Sequence, residues 1–139
     1  MAISKFTAAL AIAALVCGAS YADETWTTEI GTVVYESDLE NGQAVWSYPV
    51  EGSQWRGKAF LVGLAGEYTG RTGYTGYWME AGSADGQSGC EVEVRDPETD
   101  GTSDVWGRIK LAFVDDGTWV ALRGDCFEEP TEMLVGHRN

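Results

Sequence analysis

The stretch from Val105 to Cys126 reads VWGRIKLAFV, DDGT, WVALRGDC, and its two arms alternate in character on either side of one turn. On the way out Val105, Ile109, Leu111 and Phe113 share one phase, while Arg108 and Lys110 take the other. On the way back Val120, Leu122 and Cys126 fall in one phase, and Trp119, Ala121, Arg123 and Asp125 in the opposite one. A period of two is the signature of a strand with one dry and one wet face. Asp116-Gly117 between the arms is a tight-turn dipeptide, so the segment predicts an antiparallel hairpin.

The same pattern extends upstream. From Cys90 to Arg95, Cys90, Val92 and Val94 alternate with Glu91, Glu93 and Arg95, which predicts a strand. Further strands are predicted at Gly31 to Glu36, Gln43 to Tyr48, Gly57 to Leu64 and Tyr74 to Glu80, with Met133 to Val135 closing the sheet after Pro130. Turns are expected at Asn41-Gly42, Glu51-Gly52 and Asp85-Gly86. No stretch beyond the first residues carries a helical stripe. The expected fold class is therefore all-β: a small antiparallel β-barrel, or a sandwich, of seven to nine short strands with one disulfide. Glycines 57, 63, 66, 70, 73 and 76 fall within or beside strands and favour the barrel, because a small closed sheet needs sharp coiling.

The first residues have a different composition. Lys5 precedes an uncharged, Ala- and Leu-rich run from Phe6 to Val16, and Ser20 and Ala22 supply the small side chains three residues and one residue before the expected cut. This order is that of a secretory signal peptide over Met1 to Ala22, leaving a single secreted domain from Asp23 to Asn139. The eleven-residue run is well short of the ~20 residues that span a bilayer. Secretion or export to a periplasm implies an oxidising compartment, where Cys90 and Cys126 are expected to pair once Cys17 leaves with the leader. Without Lys5, 8 basic residues face 22 acidic ones, a formal charge of −14 against −13 for the whole chain. Such a field repels phosphate backbones and argues against nucleic acid as a partner; it suits solubility, or attraction of a cationic partner.

Two segments have the residue types of a binding site. Tyr68, Arg71, Tyr74, Tyr77 and Trp78 lie among glycines, and exposed rings separated by small residues can stack on a sugar or hold an apolar ligand. Strand periodicity places Tyr74 and Trp78 on one face and Tyr77 on the other, and the same rings would equally fill a barrel. The second segment is acidic. Asp96, Glu98, Asp100 and Asp104, with Asp115 and Asp116 of the turn, form loops able to dock on a basic protein. The first four also follow part of a calcium-loop register around Gly101, but Gly107 stands where the bidentate glutamate belongs. No metal or cofactor is expected. His137, near the end of the chain, is the sole histidine, and no nucleophile, zinc or phosphate-loop motif is present, so catalysis is not expected.

Gly73 to Tyr77 and Trp106-Gly107, with the leader, the single disulfide and the many short strands, resemble in outline secreted barrels such as avidins and lipocalins. The lipocalin Gly-x-Trp opening is missing, and the resemblance implies architecture only. Periplasmic lysozyme inhibitors, small disulfide-bearing barrels that meet a basic enzyme, are a second likeness of the same kind. The expected function is noncatalytic binding of a saccharide or other small ligand at Tyr68 to Trp78. The alternatives are an acidic protein-binding module or inhibitor of a cationic, lysozyme-like partner, and a structural envelope protein.

Overall fold

The computed structural model describes residues 24–84 and 88–139. The expected leader and the Asp85-Gly86 turn lie outside the described residues. Ten strands follow one another: β1 (Thr25–Thr28), β2 (Gly31–Asp38), β3 (Gln43–Tyr48), β4 (Gly57–Val62), β5 (Gly73–Met79), β6 (Val94–Arg95), β7 (Thr102–Ser103), β8 (Trp106–Asp115), β9 (Thr118–Arg123) and β10 (Glu132–Arg138). Eight of them close into an antiparallel barrel in the order β1-β10-β9-β8-β5-β4-β3-β2, while β6 and β7 form a separate two-stranded ribbon. Closure decides for the barrel over the sandwich and removes every sheet edge from the eight main strands. Among the described residues no helix is long and apolar enough to cross a membrane.

The β8–β9 hairpin forms as the alternation requires, Leu111 facing Ala121 and Phe113 facing Trp119. Its inward face is a partial surprise. Trp119 and Ala121 are buried inside the barrel, whereas Val120 and Leu122 lie half-buried on the other face. Hydrophobicity alone would turn the aliphatic phase inward. The indole wins because the interior has been cleared for it: a Cβ on Gly136, the partner of Trp119 on β10, would sit 2.2 Å from the Trp119 ring. Gly57 makes the same allowance for Tyr48, whose ring a Cβ there would meet at 2.3 Å.

Trp119 packs into an aromatic cluster with Trp26 and Trp46. The rings of Trp26 and Trp46 stack at 4.3 Å, and Trp119 lies 5.4 Å from Trp46. Each buried indole removes on the order of 200 Å² from water, about 5 kcal/mol in area terms. Val33, Tyr35, Ala44, Ala59, Leu61 and Leu111 complete the interior around them.

A second apolar cluster lies outside the barrel. Val45, Phe60, Met79 and Trp106 point outward from β3, β4, β5 and β8 and are covered by the 80–105 connection through Cys90 and Val94. This revises the expected strand at Cys90 to Arg95. Only Val94–Arg95 pairs, with Thr102–Ser103, and Val92 is half exposed. The alternation there reflects a cover segment resting one side on the barrel wall. Cys90 and Cys126 are bonded, with Cα atoms 5.6 Å apart, as expected. Cys90 packs on the outer cluster, so the bridge fastens the cover to the 124–131 loop rather than lying in the barrel core. Closing 36 residues this way is worth about 4 kcal/mol in the chain-entropy model, and the bond is compatible with an oxidising extracellular or periplasmic compartment.

A Gly136→Ala substitution forces the Trp119 ring to move and should cost about 2–3 kcal/mol. Urea unfolding followed by tryptophan fluorescence measures it, and an unchanged midpoint would contradict the packing described.

Candidate functional site

The two ends of the barrel are built differently. At one end lie the chain positions flanking the barrel, Glu24 and Asn139, the 63–72 loop and the β8–β9 turn. Arg71 is buried there against Glu24, with Nη1 3.1 Å from both carboxylate oxygens and Nη2 3.2 Å from Oε2. Its guanidinium also lies 4.2 Å from the centre of the Phe113 ring. Tyr35 and Tyr68 both donate to the Asp38 carboxylate, and Tyr74 donates to Glu67. Burial first, and then the carboxylates beside them, push the Tyr35 and Tyr74 phenols up; for Tyr68 the Asp38 hydrogen bond leads. With Leu64 fully buried beneath, this end is shut.

The aromatic segment expected to form a ligand surface is thereby dispersed. Tyr68, Arg71 and Tyr74 belong to the closed end. Trp78 points into the barrel, its indole N–H donating to Gly124 O at 2.9 Å. Tyr77 points outward, packs on Phe60 at 5.0 Å and donates to Arg95 O. Period-two geometry holds, but no single surface carries all five residues.

At the other end the β1–β2 turn, the 49–56 loop and the ends of β5 and β9 surround an open mouth of about 620 Å³. Its rim carries Glu29 and Glu51, its wall Ile30, Pro49 and Val50, and its floor Tyr48, Glu80 and Arg123. Below the floor lies a small apolar cavity of about 40 Å³, lined in part by Trp46, Trp78 and Trp119. Arg123, the residue after Leu122 at the end of β9, faces inward in phase with Trp119 and Ala121. Its guanidinium lies 4.9 Å from the centre of the Trp78 ring and 5.8 Å from that of Tyr48, and 3.6 Å from Glu132.

Tyr48 Oη and Glu80 Oε2 are buried without a hydrogen-bond partner among the described residues. So are the indole nitrogens of Trp26, Trp46 and Trp119 deeper in the barrel, Arg108 Nε, and Arg71 Nε at the opposite end. A buried polar atom left unpaired costs about 1–3 kcal/mol, and native proteins hold few of them. Burial, opposed by Arg123 and reinforced by Asp125 and Glu132, raises the Glu80 carboxyl above its ordinary value. Burial first, and then Glu80, push the Tyr48 hydroxyl up, opposed by the charge of Arg123 and by a weak approach of its guanidinium that falls outside ordinary hydrogen-bond geometry. Fixed, partly desolvated groups of this kind gather at binding sites.

The acidic loops separate as well. Asp96 and Glu98 both take up Lys58, at 2.7 and 3.0 Å. Burial opposes ionisation of Asp96, and the Lys58 hydrogen bond outweighs it, holding the carboxyl below its ordinary value. Asp104 turns to Ser83, while Asp100 is exposed. The partial calcium register therefore does not converge, and among the described residues no group of three or more His, Cys, Asp or Glu is arranged to hold a metal. Asp115 and Asp116 lie exposed at the closed end, remote from Asp96 on the flank of the mouth. His137 is exposed on β10, between β1 and β9.

Tyr48, Glu80 and Arg123 were not singled out from the sequence. The signal that could have found two of them is phase: Tyr48 follows Ala44 and Trp46, and Arg123 follows Trp119 and Ala121, so both point into the barrel. Compared with family models, curated proteins and solved structures, the chain finds no match.

Because the native Glu80 carboxyl is raised, its ionised form lowers stability above the ordinary carboxylate range, and this penalty is absent below about pH 4. Glu80→Gln should therefore raise the urea midpoint at pH 7 and leave it unchanged at pH 4. A lower midpoint at pH 7 would show that Glu80 is a stabilising group.

Proposed function

We propose that the protein is a noncatalytic binding barrel of the periplasm or cell exterior that takes a small ligand into the mouth framed by Ile30, Tyr48, Val50, Glu80 and Arg123. The reading rests chiefly on one observation: Tyr48 Oη and Glu80 Oε2 are buried and unpartnered at the floor of an open cavity of about 620 Å³. The closed end satisfies its hydroxyls with carboxylates; the mouth does not. A ligand that supplies the missing partners recovers their desolvation cost as affinity.

The mouth also has the composition of a small-molecule site, an apolar wall with a few convergent polar groups. The cavity beneath admits no more than two or three small atoms, on a scale of about 10–15 Å³ for one water-sized probe. The ligand accordingly stays at the mouth, with Tyr48 and the Arg123 guanidinium as its floor. The leader-like first residues and the disulfide support the compartment. Compared with the expectation from sequence, the class of function is kept and the site moves from Tyr68–Trp78 to the opposite end of the barrel, with Trp78 alone near it.

Benzyl alcohol is a suitable first probe: its ring matches the apolar wall, and its hydroxyl can donate to Glu80 and accept from Tyr48. Titration should give a saturable change in tryptophan emission in the millimolar range, weakened at least threefold by Tyr48→Phe. Tyr48→Phe should also raise the thermal midpoint, since it removes an unpaired hydroxyl. A lower midpoint combined with unchanged probe binding would place the function elsewhere.

A further inference from the structure

Within this reading of the mouth, on which the inference rests, the arrangement of charges points to the class of ligand. We infer that the mouth selects an organic ammonium group carried on a short apolar stem, with the head between Glu80 and Tyr48 and the stem against Ile30, Pro49 and Val50.

Charge is the first observation. Three carboxylates, Glu29, Glu51 and Glu80, line the mouth, and none forms an ion pair among the described residues. Among the described residues the one cation lining it is Arg123, which lies 3.6 Å from Glu132 and over the Trp78 ring and also acts on Glu80 and Tyr48, so that three carboxylates face a single positive charge. The site thus presents an excess of negative charge on a chain of net charge −13, and a carboxylate or phosphate ligand would meet repulsion at the rim.

The second observation is independent of the acidic rim. Tyr48 is 6% exposed, lines the mouth, and its hydroxyl has no partner among the described residues. The buried Glu80 oxygen lies in the same lining. An ionised carboxylate accepts only, and a phenol oxygen accepts as well as donates. A neutral hydroxyl brings a single proton to the two atoms. An ammonium brings three N–H donors, enough for Glu80 and Tyr48 together with one rim carboxylate.

The chemistry excludes a bare metal ion as the better occupant. The wall of Ile30, Pro49 and Val50 offers no oxygen side chains, and among the described residues no metal-holding group exists. The apolar wall instead needs a stem to cover it. Such a head and stem belong equally to a free alkyl- or arylamine and to the side chain of a lysine on a basic protein.

The test uses isosteres. Benzylamine, benzyl alcohol and benzoate share a ring and differ in the head, and each is titrated into the protein at pH 7 with tryptophan emission as the readout. Benzylamine should bind at least tenfold more tightly than benzyl alcohol, and benzoate should bind most weakly. Glu80→Gln should remove most of the amine preference while sparing benzyl alcohol, and Glu51→Lys, a change at the exposed rim, should weaken benzylamine alone. Equal binding by all three probes, or preference for benzoate, overturns the ammonium inference and leaves the mouth as a site. Failure of all three overturns the site itself. A blocked Gly-Gly-Lys-Gly-Gly peptide separates the two sources: tighter binding than benzylamine assigns a lysine side chain, and weaker binding assigns a free amine.

Discussion

Three indoles inside an eight-stranded barrel are the constraint from which the rest follows. Trp26, Trp46 and Trp119 occupy its middle in mutual contact. An eight-stranded barrel has room inside for little more than its own side chains, so positions near the rings must be small. Ala44, Ala59, Ala121 and Gly136 meet that need. The inward phase of each strand is therefore decided by where bulk and its absence alternate, and only secondarily by which residues are aliphatic. The outward phase is then left to Val45, Phe60, Met79 and Trp106, whose burial requires the 80–105 cover and the disulfide that pins it.

Filling the middle with rings leaves the two ends to be closed by other means, and the molecule treats them oppositely. At one end a fully buried guanidinium and carboxylate, Arg71 and Glu24, are matched by several hydrogen bonds. Desolvating two charges is costly, and such a pair gains by fixing geometry more than by adding stability. It joins the start of β1 to the 63–72 loop, and the tyrosine–carboxylate pairs around it give most of the polar groups there a partner. At the mouth a tyrosine, a glutamate and an arginine also stand close together, but Arg123 acts on the other two through its charge while Tyr48 Oη and Glu80 Oε2 stay outside ordinary hydrogen-bond geometry. The contrast lies in the hydroxyls: Tyr35, Tyr68 and Tyr74 find carboxylates at one end, where only Arg71 Nε is left unpaired among the described residues, and Tyr48 finds none at the other.

Much of the architecture could be read from period and punctuation. Gln43 to Tyr48 was bounded as observed, Asn41-Gly42 turns with Gly42 at φ 89°, and the β8–β9 hairpin follows from Asp116-Gly117 between alternating arms. Thr25–Thr28 was missed because four residues, next to the expected leader, are too few to show a period. The segment at Cys90 misled because an alternating pattern reports a half-buried face and not what covers it. The site was less legible still. Tyr68, Arg71, Tyr74, Tyr77 and Trp78 are crowded in sequence, yet strand alternation and barrel closure scatter them to the closed end, the interior and the outer wall. Tyr48, Glu80 and Arg123 are spread over 76 positions and meet only because three strands end at the same rim.

The most direct measurement is the set of six indole N–H resonances in a ¹H–¹⁵N NMR spectrum, followed while benzylamine is added. Occupation of the mouth should move the signals of Trp46, Trp78 and Trp119, which line the cavity under it, and leave Trp106 under the outer cover in place. Shifts confined to Trp106, with Trp46, Trp78 and Trp119 unmoved, would put the ligand on the outer wall and contradict the account.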